Sequence, residues 1–577
     1  MQSTIRSRSF LACCFILLVS VVIRFNYFTN DAKNGYNATT WDALGYYMYL
    51  PGYIIYDDVT ELKWFPAIDS TYNVSGGQLY QATPLEKGGY AFKYLGGVAI
   101  MELPFFYIGH TVAYFSDAPQ DGFSWPYQYA ILFGALFWFF IGCLILRKVL
   151  LRFYSETITM LTLLVLCLAS NVLQYVSVDG AMSHAYIFPL YAAMLWFTIR
   201  WHESPKPRIA LFIGLIAGLA TISRPTELII IFIPILWSLE NSGKLKSKWA
   251  LVRTHKTHVV WAILGGIIGI FPQLAYWKHA TGSWIYDVGS KWFFLNPWWR
   301  VLIGFEKGWF IYTPIAIFMV LGLFFMKGKP YRRAVLTFCL LNIWIIISWS
   351  DWRYGASYST RALVQSYPVF ALALAAIIEK IYHHRKRWIV IGLSTYLIGV
   401  NLFQLWQYNV LILHYDHMNA KYYVAIYLDA NPTPLDYSLL DTDEFLGDES
   451  GYKITKSVIT KLDTITAKMG AEFGVSTYPI TNERWLKVQF SVIPKNGVKT
   501  ATLTLKRFHK EGKVFEEKRF RMAVPNAKDG ILMKYECYLY LPIFKSPKDN
   551  IQYVAIGIDS FDSFSGKNGE LKVTGFK

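Results

Sequence analysis

The chain has 577 residues, 54% of them hydrophobic and 18% aromatic, and only 16% are charged. Soluble domains carry about 25% charged residues, so a string of ordinary soluble domains is excluded for most of this length. The formal net charge of +17 is spread over short runs between apolar stretches, such as HHRKR at 383–387 and KGKPYRR at 327–333; that excludes a nucleic-acid groove and matches loops held on the cytoplasmic side of a membrane.

Along the chain, the first apolar stretch (10–25) follows Arg6 and Arg8 and no small-residue cleavage site comes after it. It reads as an uncleaved first helix with a cytoplasmic N-terminus. A span needs about 20 mainly apolar residues. Further candidates lie near 126–147, 154–175, 182–200, 207–223, 225–240, 258–276, 309–326, 334–349, 361–380 and 388–411. With the first helix they make about eleven transmembrane helices. The stretch 96–115 is also apolar. Counting it as a span would place the basic runs 147–152, 201–208, 244–256, 327–333 and 383–387 outside. The positive-inside rule therefore favours an interfacial or re-entrant helix there and a large external loop, 26–125.

From about 436 onward the pattern changes. Leu486, Val488, Phe490 and Val492 alternate with Lys487, Gln489 and Ser491, the period of a half-buried strand. Shorter runs follow at 500–508, 536–541, 551–558 and 571–576, with Lys-Asn-Gly turn signals at 495–497 and 567–569. The expected architecture is a membrane α-helical bundle over 1–415, a linker over 416–435, and an extracytoplasmic all-β sandwich, jelly-roll-like, over 436–577. The six cysteines form neither a disulfide framework nor a zinc spacing. This favours a bacterial inner (plasma) membrane over a eukaryotic secretory setting.

The threading brings distant polar segments to the external face: NATTWDALGYYMYLPGYIIYDD (37–58), GGYAFKYLGGVAIMELPFF (88–106), SVDGAMSHAY (177–186), SRPTE (223–227), GFEKGWFIYTP (304–314) and SWSDWRYGASYSTRAL (348–363). Such convergence is what a shared active site requires. An acidic residue early in the first external loop, a basic residue with a short helix later in it, an aspartate after the third span, and the SRPTE, GFEKGWFIYTP and WRYGASYSTRAL segments follow one another in that order. In this the chain resembles GT-C glycosyltransferases, in particular the branch of protein O-mannosyltransferases (glycosyltransferase family 39) and the lipid A aminoarabinose transferase. The resemblance covers roughly residues 1–415 and departs at Phe92-Lys93-Tyr94, where the family has Lys-Pro-Pro.

The resemblance implies a GT-C bundle that moves a sugar from a polyprenyl-phosphate carrier to an acceptor on the extracytoplasmic side, with inversion. It puts the general base at Asp42. The rival reading of Asp42 is a helix cap, since Thr39, Thr40 and Asp42 precede an apolar run. An acidic side chain at the depth of Asp179 is costly unless it faces a polar cavity, which makes it a second catalytic candidate for acceptor positioning, metal binding or capping. Lys93, Arg224 and Arg361 are the phosphate candidates, because lysine binds phosphate as a point charge and arginine grips two oxygens; Glu227 is the rival partner of Arg224. Asp57 and Asp58 read as turn residues. His184, Glu306, Trp352 and Tyr354 are candidates for the substrate pocket, with a local Glu306–Lys307 ion pair as the plainer reading. No cofactor is required, although a divalent magnesium or manganese ion between Asp42 and Asp179 is compatible with the scheme. The partners implied are a lipid-linked sugar donor, membrane lipid, and a glycan, lipid or protein acceptor, with no nucleic acid. The rival functions are a flippase or transporter for a lipid-linked sugar, and a glycan ligase using a lipid diphosphate.

Overall fold

The structure is a computed structural model. It describes residues 7–31, 38–239, 242–385, 387–442, 449–468, 471–509, 512, 514–522, 524, 527–542 and 550–577. Residues 32–37 of the expected first external loop and Lys386 of the 383–387 basic run lie outside these. The chain forms two compact units, Met1–Leu405 and Trp406–Lys577.

The first unit is helical. Among the described residues, six helices are long and apolar enough to cross a membrane: Arg8–Asn26, Gly97–Phe115, Trp125–Leu150, Lys256–Thr281, Arg361–Tyr382 and Arg387–Asn409. Glu156–Leu168, Pro207–Ser223, Pro225–Leu236 and Ile315–Phe325 are shorter apolar helices, and Ser183–Glu203 and Arg332–Ser348 complete the set of expected spans. Helix Lys256–Thr281 leaves Val260, Ile263, Ile267 and Phe271 exposed, an apolar face suited to lipid rather than water. Its other face meets Pro207–Ser223 through glycines. A Cβ built on Gly265 would stand 2.1 Å from the Leu211 carbonyl oxygen, and one on Gly214 would stand 1.8 Å from that of Ala262. Small residues at four-residue spacing allow this backbone approach.

Several expectations change in detail. Segment 97–115, expected as an interfacial or re-entrant helix, is one continuous helix, Gly97–Phe115, long and apolar enough to cross a membrane. It packs antiparallel to Trp125–Leu150: the Trp138 indole donates to the Met101 carbonyl (2.9 Å), and Gly109 lies against Tyr127. The expected span 154–175 is α-helical only to Leu168 and resumes as one π turn, Gln174–Val178. The spans at 225 and 361 open as 3-10 turns, Pro225–Ile231 and Arg361–Ser366. The span at 309 is cut at Thr313-Pro314 between Trp309–Tyr312 and Ile315–Gly322. Proline removes a backbone donor, which accounts for the breaks at 225 and 314.

The basic runs gather at one end of the bundle. Arg152 pairs with Glu203 (3.1 Å), Lys329 with Glu379 (3.3 Å), and Lys248 contacts His202. Residues 184, 224 and 361 sit at the opposite ends of the helices that carry or adjoin these groups. Along Ser183–Glu203 that separation is about 30 Å at 1.5 Å per residue. The sorting of charge that the sequence suggested is therefore present in three dimensions.

Two short strands in the first loop, β1 (Ala82–Pro84) and β2 (Tyr90–Phe92), pair antiparallel. The second unit begins with the short helices Ala420–Ala425 and Pro434–Ser438. Eight strands follow: β3 (Ile454–Ala467), β4 (Phe473–Pro479), β5 (Trp485–Asn496), β6 (Ala501–Phe508), β7 (Val514–Arg521), β8 (Met533–Tyr540), β9 (Tyr553–Ser560) and β10 (Phe564–Phe576). They make two antiparallel sheets, ordered β3-β10-β5-β8 and β4-β9-β6-β7, the strand order of two interlocked Greek keys. In β5 the residues Leu486, Val488, Phe490 and Val492 are buried, as their alternation requires. One turn signal was misread. Lys567-Asn568-Gly569 lies inside β10, where the pairing with β5 slips between Lys567 and Glu570 and Asn568 takes φ of 54°. The same tripeptide at 495–497 does end β5, with Gly497 at φ 75°.

Candidate active site

Asp42 begins the short helix Asp42–Tyr47, preceded by Trp41 at positive φ (53°). Its side chain does not cap that helix. Oδ1 accepts hydrogen bonds from the hydroxyls of Tyr80 (2.7 Å) and Tyr94 (2.6 Å), and Oδ2 accepts from the Arg361 guanidinium. The pair joins residues 319 positions apart, and both side chains retain some exposure, 14% for Arg361 and 19% for Asp42. Burial would raise the Asp42 carboxyl, but the Arg361 charge and the two tyrosine hydroxyls outweigh it and hold the carboxyl below its ordinary value. Burial and the Asp42 charge push both tyrosine hydroxyls up, so they remain donors.

Local packing explains why the tyrosines reach Asp42. Gly45 lies one helical turn on, with the Tyr94 ring where a Cβ would be. Tyr46 meets that ring edge-on at 4.9 Å. Behind it, the Gln273 side-chain oxygen accepts from the Gly96 N–H (2.7 Å), and the Tyr49 hydroxyl donates to the Tyr94 carbonyl (2.8 Å). On the other flank, Gly355 adopts φ of 64° and its missing Cβ would lie 3.5 Å from Arg361 Nη2. Tyr354 and Ser359 also take positive φ, 55° and 57°. Tyr354 and Ser359, two residues with side chains at positive φ within six positions, are strain that the surroundings must hold in place, whereas Gly355 takes its φ freely. Lys307 supplies part of that hold, donating to the carbonyls of Gly355 (2.8 Å) and Ser357 (3.3 Å).

A buried polar chain adjoins the pair. Gln365 lies one turn beyond Arg361 and donates to Glu227 Oε1 (2.9 Å), while its oxygen faces His184 Nδ1 (2.8 Å). Glu227 also accepts from the Tyr191 hydroxyl. His184 is an electrostatic neighbour of Arg224, Arg361 and Asp42 alike, and Arg224 and Arg361 both act on Tyr46 and Tyr354. Arg224 therefore shares the neighbourhood. Among the described residues it forms no ion pair with Glu227, whose hydrogen-bonding capacity goes to Tyr191, Gln365 and Thr226. Asp179 accepts from Gln174 (3.1 Å) at the end of the π turn. Burial raises its carboxyl, opposed by that hydrogen bond and by the charges of Arg361 and Arg24. Asp42 and Arg361 are thus in direct contact, and His184, Arg224 and Asp179 are electrostatic neighbours of that pair or of the residues around it.

The remaining expected residues lie elsewhere. Lys93 is exposed; its backbone N–H bonds the Gln81 carbonyl (2.9 Å), and it adjoins the site only as the neighbour of Tyr94. Among the described residues the expected local Glu306–Lys307 ion pair is not formed. Lys307 is 1% exposed and turned to backbone carbonyls, whereas Glu306 faces Arg353 (3.5 Å) and Arg300 (4.0 Å). Trp352 is flanked by those same guanidiniums, at 4.9 Å for Arg300 and 5.2 Å for Arg353. Tyr354 is buried, its hydroxyl on the Ile346 carbonyl (2.7 Å) and its ring against Trp349; that is a packing role and not an open platform for a sugar. Asp58 is a turn residue, accepting backbone N–H groups of Thr60, Glu61, Leu62 and Lys63. Among the described residues no group of three His, Cys, Asp or Glu side chains could hold a metal ion.

Sequence reasoning missed Tyr80, Tyr94, Gln365 and Arg24. Gln365 left a signal, a lone amide inside an apolar span. So did Arg24 in the first helix, which donates to the carbonyls of Ser177 (3.0 Å) and Val178 (2.8 Å). Tyr80 and Tyr94 left none among 40 tyrosines.

No protein-family model matches the chain, and no curated protein sequence does. Solved structures overlap it in part. ArnT from Cupriavidus metallidurans bound to undecaprenyl phosphate is 14% identical, over 73% of this chain and 68% of that one, with a TM-score of 0.43. Arabinosyltransferase EmbB from Mycobacterium smegmatis is 11% identical, over 78% and 57%, with a TM-score of 0.30. The infectious bursal disease virus VP2 subviral particle matches 21% of this chain and 32% of its own at 14% identity, with a TM-score of 0.17. The chain thus spans about a third of the VP2 chain and under two thirds of EmbB.

Proposed function

We propose that this protein is an inverting membrane glycosyltransferase of the GT-C type that uses a polyprenyl-phosphate-linked sugar, with Asp42 as its general base. The observation that carries the reading is the Asp42–Arg361 contact, a carboxylate and a guanidinium brought together from opposite ends of the helical unit at the bundle end away from the basic runs. His184 and Asp179 feel the Arg361 charge, and His184 feels that of Arg224 as well. Transfer from a lipid phosphate needs both kinds of group, a base for the acceptor proton and cations for the leaving phosphate.

In the step we infer, the acceptor hydroxyl oxygen attacks the anomeric carbon and its proton passes to Asp42. The bond from that carbon to the phosphate oxygen breaks, and its electron pair stays on the phosphate, whose charge grows. Arg361 and Arg224 stabilise that growth, and Lys93, exposed and next in sequence to Tyr94, is a candidate for the same phosphate. One displacement inverts the anomeric centre. Asp179 and His184 are the groups available to orient the acceptor. The setting we infer is a bacterial inner membrane with this site on the extracytoplasmic side, because the basic runs at the far end match a cytoplasmic face.

The test is direct. Purified protein in detergent, given radiolabelled polyprenyl-phosphate sugars, should form a labelled product without any sealed compartment, which a flippase cannot do. Asp42→Asn should lose at least about a hundredfold in transfer, the scale of general-base catalysis, while still retaining the lipid. Undiminished turnover in that variant refutes Asp42 as the base.

A further inference from the structure

This inference rests on the glycosyltransferase reading and concerns a conflict within the site. A general base must present an open lone pair to the acceptor, yet Asp42 is heavily engaged. A carboxylate has about four lone-pair positions; Tyr80 and Tyr94 take two on Oδ1 and Arg361 takes one on Oδ2, so the one position left open on Oδ2 sits beside a guanidinium whose charge makes it a weak proton acceptor. Arg361 is also one of the cations proposed for the leaving phosphate. It cannot be fully committed to both anions.

The groups facing Asp42 come from every side. Arg361 is contributed by the Arg361–Ser366 turn, Tyr80 and Tyr94 by the first loop, Tyr46 by the same short helix, and His184 by Ser183–Glu203. Only Arg361 among them is a permanent cation, so it alone changes the charge felt by Asp42 when it moves. Gly355 leaves the space 3.5 Å from Nη2, the nitrogen that also contacts Asp42, without a side chain, and arginine binds phosphate through two parallel hydrogen bonds. Arg224 would bind the same phosphate.

We propose that Arg361 is an exchangeable partner: without donor it rests on Asp42, and the arriving lipid phosphate takes the guanidinium over and frees Oδ2 for the acceptor's proton. The two tyrosines stay on Oδ1 and keep the carboxylate oriented. The donor thereby arms the base, and the order of binding is donor first, acceptor second. Loss of the Arg361 charge from Oδ2 also raises the proton affinity of Asp42, which suits it to accept a proton only when a sugar is in place.

The experiment uses the full chain in detergent with undecaprenyl phosphate, which carries no sugar and cannot turn over. An apolar carbodiimide reacts with protonated carboxyl groups, and its adduct on Asp42 is quantified by peptide mass spectrometry across pH, with lipid retention measured in parallel by native mass spectrometry. The labelling midpoint of Asp42 should rise by about one pH unit or more on saturation with lipid, tenfold in labelling on the slope. Arg361→Gln should begin at the raised midpoint and show no further response, and Arg361→Lys, which keeps the charge, should respond as the native protein does. An inorganic-phosphate arm separates a site that reads any phosphate from one that needs the lipid; a rise in either arm supports the exchange. Retained lipid with an unmoved midpoint, or an Arg361→Gln protein that still responds, overturns the exchange while leaving the glycosyltransferase reading intact. Lipid that is not retained at all overturns both.

Discussion

Gly45→Ala is a substitution that touches no reacting group yet should weaken the chemistry through Tyr94. An ideal Cβ at position 45 would stand 2.1 Å from Tyr94 Cδ2 and 2.7 Å from Cγ. Carbon atoms pack at about 3.5–4.0 Å, so the ring must retreat by about 1.4 Å or more, and the clash is near the root of the side chain where a rotamer change gives little relief. A ring moved that far carries its hydroxyl out of the 2.6 Å bond to Asp42. A hydrogen bond to a charged group contributes about 1.5–3 kcal/mol, which in a transition state is roughly 10- to 150-fold in kcat/KM. Tyr94→Phe removes the same bond without moving the ring and should lose the same factor. The Gly45→Ala/Tyr94→Phe double variant should then be no worse than either single one, because both act through one interaction. Radiolabelled sugar transfer measures the cycle, with thermal unfolding in parallel to subtract the packing cost of about 1–3 kcal/mol. Multiplying losses in the double variant, or full activity of Gly45→Ala, would refute the claim that Gly45 acts by seating Tyr94.

Three further outcomes follow from the geometry. Because Arg361, Tyr94 and Tyr80 hold Asp42 below its ordinary value, its ionised form persists as pH falls; the acid limb of kcat/KM, which reports the free enzyme, should lie below about pH 4, and a limb at pH 5 or above contradicts the geometry. Gly265→Leu places carbon against the Leu211 carbonyl, backbone that cannot retreat, and should cost about 1–3 kcal/mol of stability in a detergent unfolding assay, whereas Gly399→Leu, with nothing within 4 Å of its Cβ position, should be neutral. In the second unit, Asp441→Ala strips Arg521 of a two-oxygen partner (2.7–3.1 Å); a guanidinium left 30% exposed loses less than a fully buried one, so about 2–4 kcal/mol is expected, read as faster hydrogen exchange in β6 and β7 of the full chain.

What the sequence carried was what periodicity and charge can carry. The strand β5 was legible because one face is buried and the other is not, while β3 was not, since most of its residues are exposed and no alternation marks it. The misread tripeptide in β10 shows the limit of turn signals: Lys-Asn-Gly supplies a residue that tolerates positive φ, and a bulge uses that as readily as a turn. Asp42 and Arg361 were found through their order in a resemblance, each with its chemistry but without its partner. Their contact could not be read, because it depends on where the Arg361–Ser366 turn ends up relative to a loop 319 residues earlier. Tyr354 was misassigned for a related reason. An aromatic residue in an external loop has the same signature whether it faces a pocket or fills the core.

The interrupted spans explain how a bundle of apolar helices comes to hold such a site. A helix buries all of its own backbone polar groups, so a straight span offers a pocket only side chains. The breaks at 169–182, 225–231, 313–314 and 361–366 all fall toward the Asp42 end. Irregular backbone at such depth is tolerated only if the freed groups find partners, and here they do. Asn401 donates to the carbonyls of Leu168 (2.8 Å) and Ser170 (2.9 Å) at the first break, and Arg24 donates to those of Ser177 and Val178 at the π turn that follows. Tyr175 both donates to the Tyr358 carbonyl (2.9 Å) and accepts from its N–H (3.0 Å), tying that turn to the loop before Arg361. Each partner is a polar side chain that costs stability in an apolar helix unless it is used. Their placement at the breaks, together with the ionised pair at the same end, marks the interruptions as built features that gather polar groups at one end of the bundle.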